Sequence, residues 1–204
     1  MSATRANFER YQTVLKKAPG TRTLADLFVL DEWASTITLL TQLTQDARLD
    51  ICQTAKVQEF LKGQKCARAG VLADSFCIIF SGQVSLMQPT RRRGKDKCIG
   101  TLGRGGFFGE IPLLKNACHD NTVIAIQPTL IFSVDAACFG RTLLPTYGKI
   151  LLERSEFLKT VQPFRDWESS MLIELARHTH MRSIHSGQSI ACTDEQGQNQ
   201  IVCE

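Results

Sequence analysis

The sequence predicts an α+β fold in which helices at both ends flank a sandwich or barrel of short antiparallel strands. Three patterns predict it. Apolar residues recur at helical spacing through the first forty or so positions. Short apolar runs punctuated by glycines and polar turns then fill the middle of the chain, the signature of a many-stranded antiparallel domain. Helical spacing returns after Ala136.

The elements are taken in order. Phe8, Tyr11, Val14 and Leu15 give one helix face, and Ala18-Pro19-Gly20 interrupts it. Thr23 reads as the N-cap of a second helix, with Asp26 three residues on as a carboxylate version of the capping box. The apolar face of Leu24, Leu27, Phe28, Leu30 and Trp33 is read as continuing to Leu39-Leu40. Residues 1–43 therefore form an N-terminal helical segment expected to pack on the strand-rich domain. Thr44 and Asp46 open a short helix through Ile51. Strands are expected around Gln64–Ala67, at Gly70-Val71-Leu72, and over Phe76–Phe80 and Gln83–Met87. The unbroken apolar run Phe76-Cys77-Ile78-Ile79-Phe80 suits a strand buried on both faces. Val123–Ile126 and Leu130–Val134 alternate as two more strands around the turn at Gln127-Pro128. Residues 136–144 and 146–161 read as two helices broken near Pro145.

Composition narrows the function classes. With 204 residues, 43% of them apolar, the chain can hold one ordinary domain and an appendage. The net charge of +4 is too mild to mark a nucleic-acid binder by itself. The basic run Arg91-Arg92-Arg93-Gly94-Lys95-Asp96-Lys97 reads as a solvated hairpin loop, and no aromatics interleave with it. No membrane span or secretory leader is evident. The eight cysteines lack zinc-like spacing and are expected to be reduced thiols in a cytoplasmic protein. His178, His180 and His185 have no carboxylate or cysteine completing a metal set, so no metal is expected. No nucleophile elbow, phosphate-binding Lys loop or zinc-protease helix motif is present, and no enzyme is expected.

Candidate chemistry concentrates in Leu102–Val123. A glycine-rich turn leads through Phe107 and Phe108 into Gly109-Glu110, then Ile111, Leu113 and Leu114, and a polar loop ending at Asn121-Thr122. Gly109 at the start of a short helix would bring backbone N–H groups close to an anion. A carboxylate at the same place needs hydrogen-bond donors, and hydroxyls are natural ones. A phosphate beside a sugar hydroxyl describes a ribose phosphate.

Phe108-Gly109-Glu110-Ile111 and Leu113 resemble the phosphate-binding cassette of the cyclic-nucleotide-binding domain family, which reads roughly FGE-(L/I)-A-L and then P-R-A-A-T-V. Cys118-His119-Asp120-Asn121-Thr122-Val123 falls on the second part without a gap. Gly70 and the run Phe76–Val84, with Ser81-Gly82 as its turn, match the strands ahead of that cassette. The resemblance implies an eight-stranded antiparallel jelly-roll-like β-barrel over residues 44–162, flanked by helices. It also implies an incomplete second copy over 163–204, like the tandem domains of cyclic-AMP-dependent protein kinase regulatory subunits. There Leu172, Leu175 and Ala176 match an entry helix, His185–Ile190 a strand-turn-strand, and Ile201-Val202-Cys203 the start of another strand.

The function implied is a non-enzymatic sensor for cAMP or cGMP that acts on an unknown protein effector and needs no cofactor. Glu110 would hold the ribose, Gly109 and Ile111 would offer backbone N–H groups, and Thr122 would sit near the base. Asn121 replaces a small residue and would crowd the phosphate or donate to it. Trp167 reads either as an ordinary core aromatic or, by the resemblance, as the cap on the base. The departure is His119, which stands where the family has its phosphate-binding arginine. Histidine offers at most one donor and is largely neutral at pH 7, so binding is expected to be weak and tighter at pH 6 than at pH 8. The alternative is a ligand-independent interaction scaffold built on a degenerate pocket. A transcription regulator of the same superfamily would need a helix-turn-helix where residues 164–204 read instead as a second barrel start.

Overall fold

A computed structural model of the chain describes residues 2–90, 96–179, 190–193 and 199–202. The chain divides into two compact units, residues 1–150 and 151–204. The first opens with α1 (Ser2–Leu15) and α2 (Leu24–Ala34). Thr23 and Asp26 form the expected reciprocal capping box, and Lys17 closes on the Asp26 carboxylate at 2.6 and 2.8 Å. The α2 helix stops at Ala34 rather than continuing to Leu40. The Ser35 N–H returns to the Asp31 carbonyl, and a 3₁₀ turn over Leu40–Gln42 comes next. The Thr44 hydroxyl then caps α3 (Gln45–Thr54) as expected.

Two four-stranded antiparallel sheets build the barrel. One has the order β1-β8-β3-β6 and the other β2-β7-β4-β5. The strands are β1 (Lys56–Phe60), β2 (Lys65–Ala67), β3 (Ser75–Ser81), β4 (Val84–Gln88), β5 (Lys97–Leu102), β6 (Phe107–Phe108), β7 (Thr122–Ala125) and β8 (Thr129–Asp135). A short helix, α4 (Glu110–Lys115), lies between β6 and β7. The fold class read from sequence holds. The basic run joins the β4–β5 hairpin, and its residues 91–95 lie outside the described residues.

The central strand β3 explains the layering. Its residues alternate between two cores, so it is buried on both faces as its unbroken apolar run predicts. Cys77 and Ile79 face the barrel interior with Val84, Phe108, Val123 and Ile131. Phe76 and Phe80 face the helices, where Phe80 meets Phe8 at 4.8 Å and Trp33 at 5.1 Å. Phe76 meets Phe139 at 5.5 Å. Gly82 turns the chain into β4 with φ +92°, and a Cβ there would lie 2.5 Å from the Pro128 carbonyl oxygen. Only glycine fits that corner.

Three expectations need correction. The segment Gly70-Val71-Leu72 is not a strand, because Gly70 turns at φ +79° and only Leu72 makes an isolated bridge, to Cys118. The helix does not break at Pro145. After α5 (Ala136–Cys138), a π-turn over Phe139–Leu143 leads directly into α6 (Leu144–Thr160). The Leu144 N–H donates to the Phe139 carbonyl five residues back, and this widened turn precedes the proline that has no N–H to donate. Strand β1 carries no periodic signal and is absent from the elements predicted by the sequence.

The second unit contains α7 (Ser169–His178), with Leu172 and Ala176 fully buried. An antiparallel pair, β9 (Ile190–Thr193) and β10 (Asn199–Val202), comes after it. His180 and the expected strand-turn over His185–Ser189 lie outside the described residues, as does Cys203. The cysteines Cys52, Cys66, Cys77, Cys98, Cys118 and Cys138 are unpaired. Among the described residues no helix is long and apolar enough to cross a membrane, and no cluster of three or more His, Cys, Asp or Glu side chains could hold a metal.

Candidate functional site

Strand β6 pairs with β3 through Cys77–Phe108 and Ile78–Phe107, which carries the chain to the mouth of the barrel. Gly109 then turns at φ +93°, and a Cβ there would lie 2.6 Å from the Ser75 carbonyl oxygen. The glycine is thus required both for its left-handed backbone and for its close approach to β3. It occupies the N-cap position of α4, so the Glu110 N–H, which its own carboxylate accepts, and the Ile111 N–H are the first of the helix start. Pro112, next in line, has none, which trims the set of donors at this helix start.

The second half of the segment is laced to residues 69–73. The Gly70 N–H donates to the His119 carbonyl at 2.8 Å, and the His119 N–H donates to the Val71 carbonyl at 2.9 Å. The Ala73 N–H reaches the Ala117 carbonyl at 3.2 Å. Buried Thr122 accepts the Ala69 N–H on its hydroxyl at 3.2 Å. The backbone donor of His119 is therefore spent within the protein, and only its ring is available to a ligand.

A cavity of about 230 Å³ opens beside this lacing. His119 and Phe108 line it, with Asp74, Ser75 and Cys77 at and just before β3 and Lys65 and Arg68 from the β2 side. Its volume is just below the roughly 300–1,000 Å³ of pockets that enclose a drug-sized ligand. Gly109, Glu110, Ile111, Asn121 and Thr122 adjoin its walls in sequence but are not among its lining residues. Trp167 belongs to the second unit, where it packs edge-on against Phe164 at 5.1 Å and is 39% exposed.

The electrostatics single out three groups. Burial pushes the Glu110 carboxyl up to about 7, opposed only by a hydrogen bond from its own backbone N–H. Among the described residues no cation pairs with it. Burial also lowers the His119 imidazole, outweighing the upward pull of Asp74 and Asp120. The Asn121 Oδ1 is buried without a hydrogen-bond partner, a costly state for an amide oxygen unless a donor arrives.

Residues 57–144 match the family described as the cyclic nucleotide-binding domain. The chain is similar to that family over these residues, which run from β1 through β8 and the π-turn. A curated relative, the cAMP-dependent protein kinase regulatory subunit of Eremothecium gossypii, is 25% identical over 81% of the chain and 35% of its own length. The chain thus spans about a third of the curated relatives it matches. Two solved structures share the cyclic nucleotide-binding fold. The regulatory domain of Toxoplasma gondii PKA, co-crystallised with cAMP, aligns with TM-score 0.61 and 18% identity, covering 76% of this chain and 58% of that one. The regulatory subunit of a cAMP-independent protein kinase A from Trypanosoma cruzi, bound to guanosine, aligns with TM-score 0.56 and 16% identity, covering 84% and 52%.

Sequence reasoning missed Lys65, Arg68, Asp74, Ser75 and Cys77 as lining residues of this cavity. A β-bulge shifts the β2–β7 register between Lys65 and Ala67, so simple alternation does not tell which side chains face inward. The signal available in the sequence is two basic residues on the approach to Gly70, one opening a short strand and one just past its end.

Proposed function

We propose that this chain is a non-enzymatic cyclic-nucleotide-binding regulatory or sensor module whose affinity is reduced by His119 in place of the phosphate-binding arginine. Glu110 accepts hydrogen bonds from the ribose hydroxyls, the N–H groups of Gly109 and Ile111 face the phosphate, and the His119 ring faces it from the other side. Asn121 supplies a polar contact and Thr122 lies near the base. Residues 163–204 open a second domain of the same type. The curated relatives are named as kinase regulatory subunits, so a protein kinase is the effector class we carry over.

The observation that supports this reading most is the Glu110 carboxyl. It is half-buried beside a left-handed glycine, and among the described residues no cation compensates it. Such a group is stabilised by incoming hydroxyl donors. A second reading, that the ligand is an uncharged nucleoside, is favoured by one specific observation. Burial works against a positive charge on His119, which weakens the phosphate grip of the ribose site.

Isothermal titration calorimetry on the full chain with cAMP, cGMP, adenosine and guanosine tests both. Cyclic nucleotides binding more tightly than nucleosides supports the first reading, and the reverse order supports the second. Absence of heat with all four at millimolar concentration leaves the ligand-independent scaffold.

A further inference from the structure

We propose that Arg68 supplies the cation that position 119 lacks, so that the phosphate of a nucleotide is gripped from the β2 side of the cavity as well as by the N–H groups of the cassette. This rests on the nucleotide-binding reading above and deepens it. Arg68 lines the same cavity as His119, as does Lys65. Its position is fixed by its neighbours: the next two residues donate their N–H groups to the Thr122 hydroxyl and the His119 carbonyl, at 3.2 and 2.8 Å. Arg68 therefore projects from a backbone tied directly to the cassette. Among the described residues no acidic partner engages it, so its five donors are free.

Charge supports the assignment. Lys65 and Arg68 oppose the single carboxylate of Asp74 at the cavity wall, leaving a net positive lining before His119 is counted. A guanidinium is charged at every physiological pH and matches phosphate oxygens in pairs, which a neutral imidazole cannot do. The cyclic diester of cAMP or cGMP and the monoester of AMP or GMP share the phosphate chemistry, and the ligand panel separates them.

The test is calorimetry on the full chain and on Arg68→Gln, with cAMP, cGMP, AMP, GMP, adenosine and guanosine. Arg68 is exposed, so the variant is expected to fold, and a thermal melt checks this. The expected result is a loss of about tenfold or more in affinity for the phosphate-bearing ligands, with nucleoside affinity unchanged. Arg68→Gln/His119→Arg is expected to recover most of that loss. Equal cyclic-nucleotide affinity in wild type and Arg68→Gln overturns the role of Arg68 while the binding reading survives. A wild-type chain that binds no member of the panel overturns the binding reading, and this proposal with it.

Discussion

Glu110 and His119 face opposite protonation demands. Glu110 has to be ionised to accept ribose hydroxyls, yet burial holds it at about 7. His119 has to be protonated to attract phosphate, yet burial holds it below its ordinary 6.5. The two demands pull in opposite directions, so cyclic-nucleotide affinity should pass through a maximum below about pH 7, falling on the alkaline side as His119 loses its proton and on the acid side as Glu110 gains one, and calorimetry across pH 5–9 checks it. His119→Arg removes the acid-side requirement and should raise affinity about ten- to a hundredfold, leaving only the Glu110 limb of the profile. Glu110 also bears on stability. Its folded-state value lies above its unfolded one, so the folded protein loses stability as pH rises from about 4.5 to about 7, by roughly 2–3 kcal/mol. Glu110→Gln should remove that slope and gain stability above pH 7, as urea denaturation at pH 5 and pH 8 would show.

Among the elements, the N-terminal helices are joined to the barrel by two buried side chains. The Arg22 guanidinium donates to the carbonyls of Cys52 and Ala55 at 2.6 and 2.8 Å, and to those of Leu15 and Lys17 at 3.1 Å each. It thereby satisfies the ends of α1 and α3 at once, and Arg22→Met would strand these carbonyls away from water. We expect a loss of about 3–5 kcal/mol by urea denaturation. Trp33 is fully buried between Phe80 and Phe132, and its Nε1 has no hydrogen-bond partner. Trp33→Ala should therefore cost about 3–5 kcal/mol, while Trp33→Phe should cost clearly less because it also removes an unsatisfied N–H. Much of this level is legible in the sequence. The Thr23–Asp26 box, the Thr44 cap and the twin-faced β3 all declare themselves through local residue choice. Strand β1 does not, because its polar alternation is weak and its partner β8 lies 77 residues away. The π-turn before Pro145 is hidden for a related reason. Proline announces a missing N–H, but whether the helix breaks or widens depends on what surrounds it.

For the whole molecule, the site divides into a legible half and a hidden one. Gly109 and Glu110 are readable because a left-handed turn against the Ser75 carbonyl tolerates only glycine, and because a carboxylate directly after it marks a helix start in adjacent residues. The opposite wall of the cavity, with Lys65, Arg68 and Asp74, is not readable. It is assembled by a bulge and by hydrogen bonds between segments some fifty residues apart in the chain. Gly109→Ala tests how far the legible half depends on backbone geometry. It should cost about 2 kcal/mol or more and abolish ligand binding, since its Cβ would have to displace β3. The most direct measurement is a two-dimensional amide NMR titration of the full chain with cAMP and cGMP. The expected result is saturable shifts confined to residues 65–77 and 108–123, which frame the cavity. Spectra that stay unchanged to millimolar ligand, or shifts that fall elsewhere on the barrel, would contradict it.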